Sequence, residues 1–128
     1  MQFNDEKDYI MRMIKEMVRV LFSLMLGKQC TQAELQDENK YEVSGKKLGE
    51  FKDMIDQGKI NEAENLLLES IDYQNKDEVT AAVLFYQYLD QKEDGFLREN
   101  DYSREEILEG LKQLAVRAGY REMCEILE

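Results

Sequence analysis

The stretch from residue 5 to residue 27 constrains the fold most, because apolar side chains recur there at steps of three and four. They form one face of an α-helix: Tyr9, Ile10, Met13, Ile14, Met17, Val18, Leu21, Leu24 and Met25. A second apolar set falls off that face: Met11, Val20, Phe22 and Leu26. A helix that is apolar on more than one side must be covered on more than one side. The pattern therefore predicts a central helix, enclosed by later helices or by a second subunit.

Three interpretations of this first helix compete: a core helix, a dimer or partner surface, and a membrane element. Its methionines suit both irregular cores and adaptable binding faces. A transmembrane span needs about 20 apolar residues, and charged residues interrupt this one at Arg12, Lys15, Glu16 and Arg19. The acidic start of the helix also lacks the basic segment of a signal peptide. We therefore predict no membrane insertion.

The net charge of −11 on 128 residues is concentrated in the middle of the chain. Residues 61–102 carry eleven acids and three bases, a net charge of −8. Such a surface repels phosphate groups, which argues against binding to nucleic acid or to an anionic membrane. The chain has no proline, and no segment alternates Val, Ile or Thr as a strand does. We predict one all-α domain over residues 1–128, with five to seven helices.

The residue types that most often carry catalysis are missing or isolated. No histidine is present, which removes the commonest general base and a frequent metal ligand. Cys30 and Cys124 form no CxxC pair and are typical of free thiols in a reducing cytosol. No glycine-rich phosphate-binding motif occurs. We therefore predict a non-enzymatic, cytoplasmic protein without catalytic residues, cofactor or assigned metal ligands.

A connector and several shorter helices are predicted after the first helix. Residues 28–44 are polar, and Thr31 with Glu34 forms a capping box for a weakly held short helix. Glycines and N-cap residues, among them Gly58, Asn75 and Ser103, divide the remainder into helices over 45–57, 59–71, 76–91, 103–118 and 120–127. We expect antiparallel hairpins over residues 45–73 and 76–118.

Residues 58–67, Gly-Lys-Ile-Asn-Glu-Ala-Glu-Asn-Leu-Leu, resemble the turn and second helix of a tetratricopeptide repeat. Ala63 and Leu67 are in register with that repeat. No proline closes the unit, and no second copy follows at a period of about 34 residues. The resemblance implies tetratricopeptide-like hairpins against which the long N-terminal helix, residues 1–27, packs.

The opening of the chain carries a narrower resemblance. Asp-Tyr-Ile-Met-Arg-Met-Ile-Lys-Glu-Met at 8–17, followed by Leu-Met-Leu-Gly at 24–27, resembles a small uncharacterised bacterial family of about this length. The resemblance extends over the whole chain. It implies a helical, cytoplasmic, bacterial domain of unknown function and implies nothing about mechanism.

The acidic stretch 90–101 has several features of an EF-hand calcium loop. Asp90, Asp94, Gly95 and Asp101 stand at its positions 1, 5, 6 and 12. Lysine and arginine occupy positions 3 and 9, where ligands belong, and the next helix begins too late to be the exit helix. The other interpretation is an acidic loop between helices in which the glycine makes the turn.

The leading hypothesis is a non-enzymatic protein-interaction module that binds a protein partner or forms a homodimer. Both candidate surfaces carry more apolar side chains than one packed side needs. They are the surplus face of the first helix (Met11, Val18 and Phe22) and an aromatic stripe (Phe85 and Tyr88).

The alternative hypothesis is a helical protein that binds a small ligand or a divalent cation. The ligand site is then a groove lined by Phe85, Tyr86 and Tyr88, and the cation site is the 90–101 loop.

Overall fold

A computed structural model describes residues 2–26 and 41–120. These residues contain six helices and one two-stranded hairpin. In chain order the elements are α1 (Gln2–Leu26), β1 (Glu42–Val43), β2 (Lys46–Lys47), α2 (Leu48–Asp56), α3 (Ile60–Ser70), α4 (Lys76–Asp90), α5 (Asp94–Glu99) and α6 (Arg104–Arg117). The structure confirms the all-α prediction. Within the described residues, none of the helices combines the length and apolar content that a bilayer span needs.

The most deeply buried helix is α4, whereas the sequence predicted that α1 would be the central, enclosed helix. Nine of the fifteen residues of α4 are buried, and eight of them form an unbroken run from Val79 to Tyr86. Helices α1, α2 and α6 and strand β1 all pack against α4. A helix covered from several directions needs apolar or small residues around most of its circumference. The run meets this need with Ala81 and Ala82, which let neighbouring backbones approach closely.

Helix α1 packs against α4 and α6 through one wide face. The buried side chains of this face are Ile14, Met17, Val18, Leu21, Phe22 and Met25. The face therefore includes Val18 and Phe22, which the sequence analysis assigned to a surplus surface. The assignment was wrong because two helices cover α1 side by side, so that apolar positions on neighbouring sides of the helix are buried together.

A tight hairpin precedes α2, where the sequence predicted the end of a connector and the start of a helix. Glu42 pairs with Lys47, and Val43 pairs with Lys46, in antiparallel register. The two turn residues have φ angles of 50° and 85°, as in a type I′ turn. The helix begins at residue 48 because this turn conformation is incompatible with helix at residue 45. The predicted capping box at 31–34, Cys30, Cys124 and the final helix lie outside the described residues.

Helices α2 and α3 form the predicted hairpin across Gly58. Gly58 has a φ of +83°, and a Cβ at this position would lie 2.4 Å from the Asn100 side-chain oxygen. Only glycine satisfies both the left-handed backbone and this close approach. The helix–glycine–helix prediction is confirmed, and its likeness to a tetratricopeptide repeat stays a prediction.

Two N-caps predicted from the sequence are present. Asn75 Oδ1 accepts hydrogen bonds from the backbone N–H groups of Asp77 and Glu78, at 3.0 and 3.3 Å. Ser103 Oγ accepts from the N–H of Glu106 at 3.3 Å. These bonds satisfy donors that the first helical turn leaves unpaired, and they set the starts of α4 and α6.

We predict that Phe85→Ala destabilises the protein far more than Tyr88→Ala. Phe85 is fully buried, with edge-to-face contacts to Phe51 and Tyr86 at ring-centroid distances of 6.2 and 5.3 Å. Removing a buried phenylalanine ring lowers the free energy of unfolding by about 3–5 kcal/mol. Urea denaturation followed by far-UV circular dichroism measures both variants. Equal losses in the two variants would contradict a core position for Phe85.

Candidate functional site

The five side chains predicted as interaction surfaces have different environments. Val18, Phe22 and Phe85 are 5%, 4% and 0% exposed and belong to the core. Met11 on α1 and Tyr88 on α4 are partly exposed. The structure therefore leaves Met11 and Tyr88 as the members of this set that reach the surface.

Tyr88 is held by contacts within the chain. Its hydroxyl donates to Asp56 Oδ1 at 2.7 Å, and the Lys92 ammonium pairs with the same oxygen at 2.6 Å. The ammonium groups of Lys52 and Lys92 lie 4.8 and 4.7 Å from the centroid of the Tyr88 ring. The bond from Lys92 lowers the pKa of Asp56, and donation to Asp56 raises the pKa of Tyr88. Tyr88 thus links α4 to α2.

The carboxylates of the candidate calcium loop are paired with an arginine of the same chain. Arg104 donates to Asp90 Oδ1 at 2.7 Å and to Asp94 Oδ1 at 2.8 Å. It also donates to the backbone oxygens of Asp90 and Lys92, at 2.8 and 2.6 Å. Lys7 of α1 forms a further ion pair with Asp94. The guanidinium therefore lies where a calcium ion bound by loop positions 1 and 5 would lie.

The rest of the 90–101 stretch also departs from an EF-hand. Helix α5 begins at Asp94, in the middle of the twelve residues. Burial raises the pKa of Asp90, and Arg104 acts against that rise, whereas bonds from Lys7 and Arg104 lower the pKa of Asp94. In the part of the chain that the structure describes, no three acidic or cysteine side chains converge as a metal site requires. Ion pairs among Lys7, Asp90, Asp94 and Arg104, which we call the clasp, therefore join α1, α4, α5 and α6.

A second polar cluster joins α3, α4 and the segment between α5 and α6. Glu64 Oε2 accepts hydrogen bonds from the hydroxyls of Tyr86 at 2.7 Å and Tyr102 at 2.9 Å. Both tyrosines are buried. Burial, and to a smaller extent the negative charge of Glu64, raises the pKa of each phenol far above its ordinary value. Both hydroxyls therefore stay protonated and fix the carboxylate in place.

Glu64 and Tyr86 also form part of a cleft of about 270 Å³ between α3 and α6. Tyr86 belongs to the aromatic groove predicted from the sequence, although the neighbouring Phe85 points into the core. Leu68 and Tyr73 line the cleft further along the chain. Helix α6 contributes Glu106, Glu109, Gly110, Gln113, Leu114 and Arg117. We take this cleft as the candidate ligand site, and α1 as the candidate interaction surface.

Gly110 makes room for the Tyr86 ring in the cleft wall. A Cβ at this position would lie 2.5 Å from Tyr86 Cζ and 2.6 Å from its hydroxyl oxygen. An isolated glycine inside a helix costs about 1 kcal/mol relative to alanine, so its presence there has a packing reason. Sequence reasoning missed both Gly110 and Glu64. The available signals were a glycine inside a helical pattern and a glutamate beside the buried stripe of α3.

The model of one protein family, described as a family of unknown function (DUF6483), matches residues 4–119. The match covers most of the chain, so the chain belongs to this family. This confirms the predicted relation to an uncharacterised family. No curated protein and no solved structure matches the chain.

We predict that Gly110→Ala destabilises the protein although alanine is the better helix former. The added methyl group collides with the Tyr86 ring, and such overpacking costs about 1–3 kcal/mol. Gly49→Ala in α2 is the matched control, because a Cβ there meets no atom within 4 Å. The control should gain up to about 1 kcal/mol. Urea denaturation measures both, and a gain in both variants would contradict the close packing at Gly110.

We also predict that Arg104→Met lowers the free energy of unfolding by about 3–5 kcal/mol at neutral pH, because it leaves a buried carboxylate unpaired. Arg98→Met, at an exposed arginine of α5, is the control and should change stability by less than about 0.5 kcal/mol.

The loss in Arg104→Met should shrink as the pH falls. Without its guanidinium partner, buried Asp90 has a folded-state pKa that is raised still further above the unfolded value. The native variant then binds more protons than the unfolded variant, so acidification through that pKa restores stability. Urea denaturation at a series of pH values tests this, and a loss independent of pH would argue against an unpaired Asp90 as its cause.

Proposed function

We propose that this member of DUF6483 is a non-enzymatic protein-interaction module that binds a second copy of itself through α1. The observation that carries the proposal is an apolar strip left on the outer side of that helix. The lack of histidine in the sequence supports the non-enzymatic part.

The apolar strip of α1 consists of Tyr9, Met13, Val20 and Leu24. Tyr9 and Leu24 are 54% and 45% exposed, and the other two are partly exposed. At 3.6 residues per turn the four side chains fall within a sector of about 60°. A line of apolar residues along a helix is the surface by which two helices pack together.

The charge distribution favours a second copy at this helix. Residues 1–27 carry four bases and four acids, so they are neutral as a segment. The remaining residues therefore carry the whole net charge of −11. Two copies of so acidic a chain repel one another wherever their acidic surfaces meet. They can approach most closely through α1, where Arg12 and Arg19 stand near Asp8 and Glu16 along the helix.

This strip differs from the interaction surface that the sequence predicted on the first helix, which was Met11, Val18 and Phe22. Val18 and Phe22 already pack inside the chain, so they are not free to contact a partner. Tyr9 and Leu24 were assigned to the main apolar face of the first helix, and they lie at the edge of that face that the other described elements leave uncovered.

The second hypothesis, a divalent cation at residues 90–101, has less support. Arg104 already pairs with both of the carboxylates that loop positions 1 and 5 would offer to the ion.

We predict that Leu24→Glu converts a wild-type dimer to a monomer, because a carboxylate placed in an apolar interface loses its hydration without gaining a partner. Size-exclusion chromatography with light scattering measures the mass. Leu66→Glu is the matched control, since Leu66 is an exposed leucine of α3, and this variant should stay dimeric.

Both variants should retain the helical circular dichroism of the wild type, since both sites are exposed. A wild-type chain that is monomeric at millimolar concentration would overturn the proposal. So would a Leu24→Glu variant that remains dimeric.

A further inference from the structure

Glu64, which lines the cleft between α3 and α6, is held through one of its two carboxylate oxygens. Ser103 Oγ donates to Glu106 and Gln113 Nε2 donates to Glu109, each at 3.2 Å. Glu64 Oε2 is filled by its two tyrosine donors. In the part of the chain that the structure describes, no donor reaches Glu64 Oε1. The carboxylate is therefore held in a fixed orientation while one of its oxygens remains able to accept.

The opposite end of the cleft already holds a cation against an aromatic ring. The guanidinium carbon of Arg117 lies 5.7 Å from the centroid of the Tyr73 ring. Its Nη1 also donates to the Tyr73 hydroxyl at 3.4 Å. Tyrosine faces attract cations through the negative potential of the ring. Because Arg117 already occupies the Tyr73 ring, an added cation would bind at the Glu64 end of the cleft.

The remaining walls of the cleft are apolar. Leu68 of α3 and Leu114 of α6 line it together with the Tyr86 ring. A bare metal ion gains nothing from such walls and prefers six to eight oxygen ligands if it is calcium. A short hydrocarbon chain is stabilised there because contact with the walls removes apolar surface from water. The walls therefore favour a ligand that has both a charge and an alkyl part.

We infer that this cleft binds a small organic ammonium ion of the alkylamine class. Glu64 Oε1 accepts from the ammonium head, the carboxylates of Glu106 and Glu109 add negative potential, and the alkyl chain lies against Leu68 and Leu114. The cleft volume of about 270 Å³ lies near the lower end of ligand pockets, about 300 Å³, so the ligand is short. None of the described side chains of α1 lines the cleft, and the inference does not depend on self-association.

Nuclear magnetic resonance titration of the full ¹⁵N-labelled chain with n-butylammonium chloride tests the inference. The expected result is saturable shifts of the backbone amides of Leu68, Gly110 and Gln113. The control ligand is n-butanol, which has the same alkyl chain without the charge and should produce no saturable shift. Shifts that do not saturate with n-butylammonium, or that n-butanol reproduces, would overturn the inference.

Two matched variants locate the charge that binds the ligand. Glu64→Gln keeps a side-chain oxygen for the two tyrosine hydroxyls but removes the negative charge, and we expect its affinity to fall about tenfold or more. Glu62→Gln removes an exposed charge from the same helix outside the cleft and should bind as the wild type does. Equal affinity in the wild type and Glu64→Gln would overturn the inference.

A further variant keeps the test decisive if Glu64→Gln does not fold. Glu109→Gln changes an exposed carboxylate of α6, and its affinity should fall by a smaller factor, because it removes one of the charges that line the cleft. An unchanged affinity in Glu109→Gln would then count against the inference.

Titration with N-acetyl-lysine methylamide separates the two sources of an alkylammonium. Binding of this compound supports a lysine side chain of a partner as the ligand, and binding of n-butylammonium alone supports a free amine.

Discussion

The burial of α4 by its neighbours is the constraint on which the rest of the structure depends. Every polar group on this helix that enters the core must find a partner, because an unpaired buried polar group costs several kcal/mol. Thr80 meets the requirement locally by donating to the backbone oxygen of Lys76 at 2.8 Å. Tyr86 cannot do so and reaches Glu64 on α3. In the described residues no buried side-chain nitrogen or oxygen is left without a partner. The Tyr86 phenol therefore bonds to α3 through Glu64 and packs against α6 where residue 110 is a glycine.

Charge has two different uses in this acidic chain. At the clasp, Arg104 and Lys7 neutralise two aspartates and tie α1, α4, α5 and α6 together, so the carboxylates there are structural. In the cleft, Glu64 is bound by neutral donors that hold it without cancelling its charge. A carboxylate of the second kind keeps its attraction for an external cation, whereas one of the first kind has largely lost it. This difference separates two acidic segments that look alike by composition.

The α1 strip and the α3–α6 cleft share no residue and lie on different helices. Helix α1 nevertheless packs against both α4 and α6, and α6 forms one wall of the cleft. Self-association through the α1 strip would use none of the side chains that line the cleft. Membership in a family of unknown function is consistent with either role, and the physical case for each rests on the residues that form it.

The sequence by itself determined the helical class, most helix boundaries and the N-caps at Asn75 and Ser103. These features depend on apolar spacing over three or four residues and on side chains that bond to their own helix, which are local properties. Only the tertiary structure decided which apolar side of α1 is covered, because Val18 and Leu24 look equally apolar until α4 and α6 are in place. It also decided that Arg104 pairs with the carboxylates of the acidic loop and that Glu64 accepts hydrogen bonds from Tyr86 and Tyr102. Those partners lie 10 to 38 residues apart in the chain, a separation at which local periodicity carries no information about contact.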